Sequence, residues 1–120
     1  MDPERTDHVN LHGTGTKYND AIETKALKGV FGERATRIPV TANKGTIGHA
    51  MGAAGALETV AAVLSMREGV VPPTVGLEER DAECDLDVVT GRAREVRVGV
   101  ALKTSYGIGG ANAAVVLGAA

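Results

Sequence analysis

Between residues 21 and 31, apolar side chains recur at three- and four-residue intervals: Ala21, Ile22, Ala26, Leu27, Val30 and Phe31. That period predicts a helix with one apolar face, and Gly32 predicts its stop. Asn19 or Asp20 is placed to cap the helix, with Glu23 three residues after Asp20 in a capping-box-like arrangement. Before it, the short run 8–11 ends at His12 and reads as a strand, followed by the small-residue turn 13–16. Residues 38–42 predict a second strand and 43–52 a glycine-rich loop. From Gly52 to Arg67 the pattern changes, because Ala53, Ala54, Ala56, Leu57, Val60, Ala61, Ala62, Val63, Leu64 and Met66 cover most of a helix circumference. A helix that is apolar nearly all round is a buried helix. A chain of 120 residues is hard pressed to surround one, which points to a larger assembly. Further on, residues 70–74 are extended and 78–85 form an acidic loop. Residues 86–90 and the alternating 96–103 predict strands, 104–110 a glycine turn and 112–118 a last strand. The resulting order, β-α-β-α-β-β-β, predicts one α/β layer.

Composition narrows the function classes. Thirteen basic and 15 acidic residues give a net charge of -2, which argues against a basic nucleic-acid binder. Tyr18, Phe31 and Tyr106 are the only aromatic residues, too few for a base-stacking surface. Cys84 is the only cysteine, so neither an internal disulfide nor a cysteine-based zinc site is expected. Residues 1–5 lack the apolar segment of a secretion signal, and no run reaches the roughly 18 apolar residues of a membrane span. The expectation is a cytoplasmic protein with no membrane or nucleic-acid partner.

Three loops at strand ends carry polar or glycine-rich chemistry: His12, then Lys44 with His49, then Gly107, Ile108, Gly109 and Gly110. Two imidazoles from separate loops can stabilise one developing negative charge or act as acid and base. A lone histidine at a strand end is more often structural, and His12 and His49 lack a third ligand at motif spacing, so no metal is expected. Asp20 and Glu23 are most simply a helix cap. The acidic loop is most simply a solvated one, and Cys84 within it is structural or idle, because like charge disfavours its thiolate.

The order of these motifs is more specific than any one of them. Residues 12–16 (HGTGT) with Asn19 and Asp20, then 44–49 (KGTIGH) with 52–55 (GAAG), then 107–112 (GIGGAN) resemble the C-terminal part of β-ketoacyl synthases, the condensing enzymes of fatty-acid and polyketide synthesis. The likeness also takes in residues 71–74 and 84–87, so that 1–120 reads as one β-ketoacyl synthase C-terminal domain. It implies an α/β fold, the C-terminal half of a thiolase-like fold, with a mixed sheet and a central buried helix at 52–67 completed by a partner chain. It also implies roles. His12 and His49 would be the two catalytic histidines that assist decarboxylation of a malonyl group and stabilise the enolate. Lys44 would support His49, and Asp20 and Glu23 would belong to a buried polar network, in competition with their capping role. Thr14 and Thr16 would bind the phosphopantetheine arm, and the N–H of Ile108 would donate to an oxyanion. Asn112 would buttress the glycine turn. Ile108 stands where phenylalanine is usual, at a gating position, and Ala111 where threonine is common. No cofactor is implied beyond the phosphopantetheine of an acyl carrier protein.

The family's acyl-accepting cysteine lies in an N-terminal part that has no counterpart here. One reading is therefore half of a split ketosynthase in a hetero-oligomer. Another chain would supply the N-terminal half and its cysteine, and acyl carrier protein would dock transiently. A second is a non-catalytic structural or chain-length-determining subunit; a third is an excised fragment.

Overall fold

The computed structural model describes residues 2–119. Its main sheet is built from β1 (His8–Asn10), β2 (Pro39–Thr41), β4 (Asp87–Val88), β6 (Val100–Tyr106) and β7 (Asn112–Gly118), in the order β4-β2-β1-β6-β7. The first four run parallel, and β7 pairs antiparallel with β6, so the sheet is mixed. A small antiparallel pair joins β3 (Val70–Val71) to β5 (Arg94–Glu95). The helices are α1 (Lys17–Phe31), the single turn α2 (Lys44–Ile47) and α3 (Ala54–Glu68).

Successive strand residues face opposite sides of a sheet. Val9 and Leu11 face α1 and pack with Leu27, Phe31, Ile38, Val40 and Leu86. Each such side chain, once fully buried, contributes about 1.5–3 kcal/mol. His8 and Asn10, which alternate with them, are completely buried. His8 Nδ1 contacts the Pro39 carbonyl at 2.9 Å, and Asn10 donates to Asn43 Oδ1 at 2.6 Å.

Several expectations shift. The α1 helix begins at Lys17, with Thr16 in the N-cap position, so neither Asn19 nor Asp20 caps it. Its buried residues are Glu23, Thr24, Leu27 and Phe31, while Ile22 and Val30 are exposed. The loop 43–52 contains α2 and a 3-10 turn at Met51–Ala53, which delays α3 to Ala54. The strand expected at 96–103 lies at Val100–Tyr106, because the ladder with β7 carries it through Tyr106, paired with Asn112.

The helix expected to be buried all round is not enclosed by this chain. Its inward residues are Ala54, Glu58, Ala62 and Ser65, spaced as one helical stripe. Leu57, Val60, Val63 and Leu64 point outward and are about half exposed. The large aliphatic side chains thus face away from the sheet, and small or polar ones meet it.

Candidate active site

The C-terminal ends of parallel strands are where α/β sheets place their sites. Here β1, β2 and β6 deliver His12, Lys44 and the 107–111 turn to one end of the sheet.

His12 is held by its backbone. Its N–H donates to Glu23 Oε1 at 2.9 Å and lies 3.2 Å from Thr104 Oγ1, and the next N–H, of Gly13, donates to Glu23 Oε2 at 2.9 Å. The Thr104 hydroxyl donates to Glu23 Oε1 at 2.6 Å. The residue expected as part of a helix cap is therefore a buried anchor that reaches back to the end of β1. Gly13 has φ of 42°, and a Cβ there would collide with Ala42 Cβ, so the turn requires glycine.

Lys44 opens α2 directly after Asn43, which the Asn10 amide ties to β1. Its Nζ lies 2.5 Å from Glu58 Oε1, 2.5 Å from the His12 carbonyl and 3.4 Å from His12 Nδ1. Glu58 comes from α3 and is fully buried. Its other oxygen meets Lys103 Nζ at 2.8 Å, and that buried ammonium also contacts the Leu11 carbonyl at 3.3 Å and the Thr104 carbonyl. One carboxylate thus bridges two lysines.

His49 follows α2. The Met51 N–H donates to His49 Nδ1 at 3.1 Å, made possible by Met51 lying in the left-handed region at φ 49°. The His12 and His49 rings stand 5.6 Å apart at 83°, and Tyr106 packs edge-on to His12 at 5.6 Å.

These contacts determine the tautomers. An ammonium and a backbone N–H only donate, so Nδ1 accepts in both histidines and Nε2 carries the proton. Both rings therefore present an Nε2–H donor. Burial first, then Lys44 and Lys103, hold the His12 imidazole below its ordinary value and favour the neutral ring, while Glu58 pulls the other way. Burial, more than the Glu23 charge, pushes the Tyr106 phenol up. Burial also lowers Lys103 despite its pairing with Glu58.

Of the residues singled out in the sequence, His12, Lys44, His49 and Glu23 come together. Lys44 contacts His12 rather than supporting His49. Asp20 accepts from Asn19 at 2.9 Å and lines a cavity of about 560 Å³ that also takes in Thr14, Thr16, Lys44 and His49. The hydroxyls of Thr14 and Thr16 are 2.7 Å apart. Gly107, Ile108, Gly109 and Gly110 form an exposed turn with Ile108 wholly in solvent. The turn closes on its own backbone, Gly107 N–H to the Ala111 carbonyl at 2.7 Å, with Gly109 and Gly110 at positive φ. Asn112 is exposed in the ladder opposite Tyr106, and among the described residues its side chain makes no hydrogen bond to the turn it was expected to buttress. Cys84 also lines the cavity, its thiol pushed up by burial first and further by Asp81, Asp20 and Glu83. Among the described residues no three His, Cys, Asp or Glu side chains gather as metal ligands.

The sequence reading missed Glu58, Lys103 and Thr104. Glu58 had a signal, as the sole charge in the apolar run 53–66, and so did Lys103, a charge on an inward position of an alternating strand.

Residues 1–78 match the family described as beta-ketoacyl synthase, C-terminal domain. The chain is 46% identical over 115 residues to 3-oxoacyl-[acyl-carrier-protein] synthase 2 of Coxiella burnetii, covering 96% of this chain and 28% of that protein. It is 48% identical over 110 residues to the tetracenomycin polyketide synthase ketoacyl synthase alpha subunit of Streptomyces glaucescens, covering 92% of this chain and 26% of that protein. It spans little more than a quarter of the length of these curated relatives. Among solved structures, a type II polyketide ketosynthase in complex with its acyl-carrier protein superposes with a TM-score of 0.97 at 35% identity, over 100% of this chain and 29% of the other. The ishigamide ketosynthase/chain length factor gives 0.93 at 40% identity, over 98% and 29%. By sequence match and by its α/β fold, shared with ketosynthases of the thiolase fold, this chain belongs to the β-ketoacyl synthase family, with residues 1–78 matching the family's C-terminal domain.

Proposed function

We propose that this chain supplies the two-histidine half of a condensing active site, in which malonyl-carrier protein is decarboxylated and joined to an acyl chain. The observation that carries the reading is the pair of imidazole rings 5.6 Å apart at 83°, each with a donor contact at Nδ1 that leaves Nε2 to carry the proton. In decarboxylation the bond from the malonyl α-carbon to its carboxylate breaks and carbon dioxide leaves. The electron pair moves to the thioester, whose oxygen becomes an enolate. Two preorganised donors aimed at that oxygen stabilise the charge as it develops. The enolate carbon then attacks an acyl thioester, forming the new C–C bond and expelling a thiolate.

Cys84 is ill suited to be that thiol, since burial and three acidic neighbours disfavour its thiolate. The acyl-accepting cysteine comes instead from the remainder of the ketosynthase fold, which also covers the outer face of α3. A carrier protein delivers the substrates, with Thr14 and Thr16 lining the cavity that takes its pantetheine arm. The N–H of Ile108 donates to the second oxyanion, with the Ile108 side chain as gate.

The test is malonyl-carrier decarboxylation by the assembled synthase. His12→Ala and His49→Ala each reduce the rate by about 10²–10³-fold, the scale for losing one oxyanion donor. Undiminished decarboxylation in both variants overturns the reading and leaves a structural or chain-length-setting subunit.

A further inference from the structure

Two carboxylates are buried at this site, Glu23 and Glu58, each almost wholly out of solvent. Lys44 alone balances one of them. Without a second cation the site would hold a net negative charge where an anionic malonyl group must enter and an enolate must form. Lys103 supplies that cation from β6, 2.8 Å from the Glu58 oxygen that Lys44 leaves free.

We propose that Lys103 is a positioning residue of this site: it pins the second oxygen of Glu58 so that the first holds Lys44 on His12, and it brings the buried charge to zero. This rests on the condensing-enzyme reading for its purpose, but the device itself is electrostatic. The charged or titratable groups around His12 are Glu23 from α1, Lys44 from α2, His49 from the following loop, Glu58 from α3, and Lys103 and Tyr106 from β6. Removing Lys103 leaves an excess negative charge among them. Protonation of His12 becomes easier, and the neutral ring with its Nε2–H survives only at higher pH.

The experiment compares wild type, Lys103→Met, Glu58→Gln and the double variant in the assembled synthase. His12 is titrated by NMR with isotope-labelled histidine, and decarboxylation is followed as kcat and KM from pH 5.5 to 8.5. In Lys103→Met the His12 midpoint and the acidic limb of kcat both rise by about one unit, a tenfold change in proton affinity, with KM little changed. The double variant restores charge balance and returns the midpoint toward wild type. If Lys103→Met does not fold, Glu58→Gln is compared with the double variant, whose buried charges are fewer. Glu58→Gln alone carries one surplus positive charge, and its midpoint lies below the double's by a similar amount. Superimposable titrations across these pairs overturn the proposal. An inert wild type with shifted His12 midpoints overturns the condensing-enzyme reading and leaves the charge device standing.

Discussion

Gly13→Ala is the sharpest probe of how His12 is held. The new methyl group would stand 3.4 Å from Leu11 Cβ and 3.5 Å from Ala42 Cα, both tolerable, but would overlap Ala42 Cβ. The overlap costs about 1–3 kcal/mol, as overpacking does. A φ of 42° adds about 1–2 kcal/mol for a residue with a Cβ. The single variant therefore loses about 3 kcal/mol. Ala42→Gly alone loses about 1.5 kcal/mol from a missing methyl and a looser extended chain. If the losses added, the double variant would stand about 4–5 kcal/mol below wild type. Because removing the Ala42 methyl clears the collision, it stands only about 2.5–3.5 kcal/mol below. The assay is a double-mutant cycle on urea unfolding of the purified protein or its assembly. Decarboxylation is measured alongside, since moving His12 by ~1 Å costs on the order of 100-fold in rate. Strict additivity, within about 0.5 kcal/mol, would refute the collision and with it the close approach of the β1 and β2 ends.

Four further outcomes are expected. Glu23→Gln replaces one accepting oxygen by an amide donor, set either against the Gly13 N–H or against the His12 N–H and the Thr104 hydroxyl, and destabilises by about 2–3 kcal/mol in the same unfolding assay. His8 and His12 are both held below the ordinary histidine value of 6.5, chiefly by burial. The unfolded chain then takes up protons that the folded one refuses, so stability is full above pH 6.5 and falls as pH drops through the folded values; His8→Asn flattens that decline in urea midpoints, and an unchanged slope would contradict it. Arg94→Ala breaks a two-bonded pair with Asp87 at 2.6 and 3.0 Å, but the pair is partly exposed and unfolding shifts by no more than about 1 kcal/mol. Cys84 reacts slowly with iodoacetamide at pH 7, and Cys84→Ser leaves decarboxylation unchanged.

The three chemistry-bearing loops were legible because glycine, histidine and lysine at strand ends are local signals. The contacts that organise them were not. Asp20 and Glu23 fit a capping pattern by spacing, yet the helix starts earlier and Glu23 turns inward, because two backbone N–H groups at the end of β1 need an acceptor. That demand belongs to a residue eleven positions away. Thr104 and Lys103 lie farther still in sequence, and no period announces a pairing between β6 and α3. β6 outruns its alternating pattern for the same reason, since its last residues are strand only through the partner β7. The long apolar run 53–66 marks a helix too apolar for this chain to enclose, and Leu57, Val60, Val63 and Leu64 are indeed left about half exposed. Its orientation was beyond reach, because a pattern apolar on all sides names no inward face.

That ambiguity gives Glu58 a second consequence. With aliphatic side chains around most of its circumference, α3 has little hydrophobic reason to prefer one rotation about its axis over another. A buried carboxylate removes the degeneracy, since only one rotation brings it between Lys44 and Lys103. Glu58 then serves as a key that sets the helix's angular register, as a single polar residue does in a coiled-coil seam. Chemistry and docking share the same atoms, so a sequence drifting away from the reaction would lose the helix's alignment along with it.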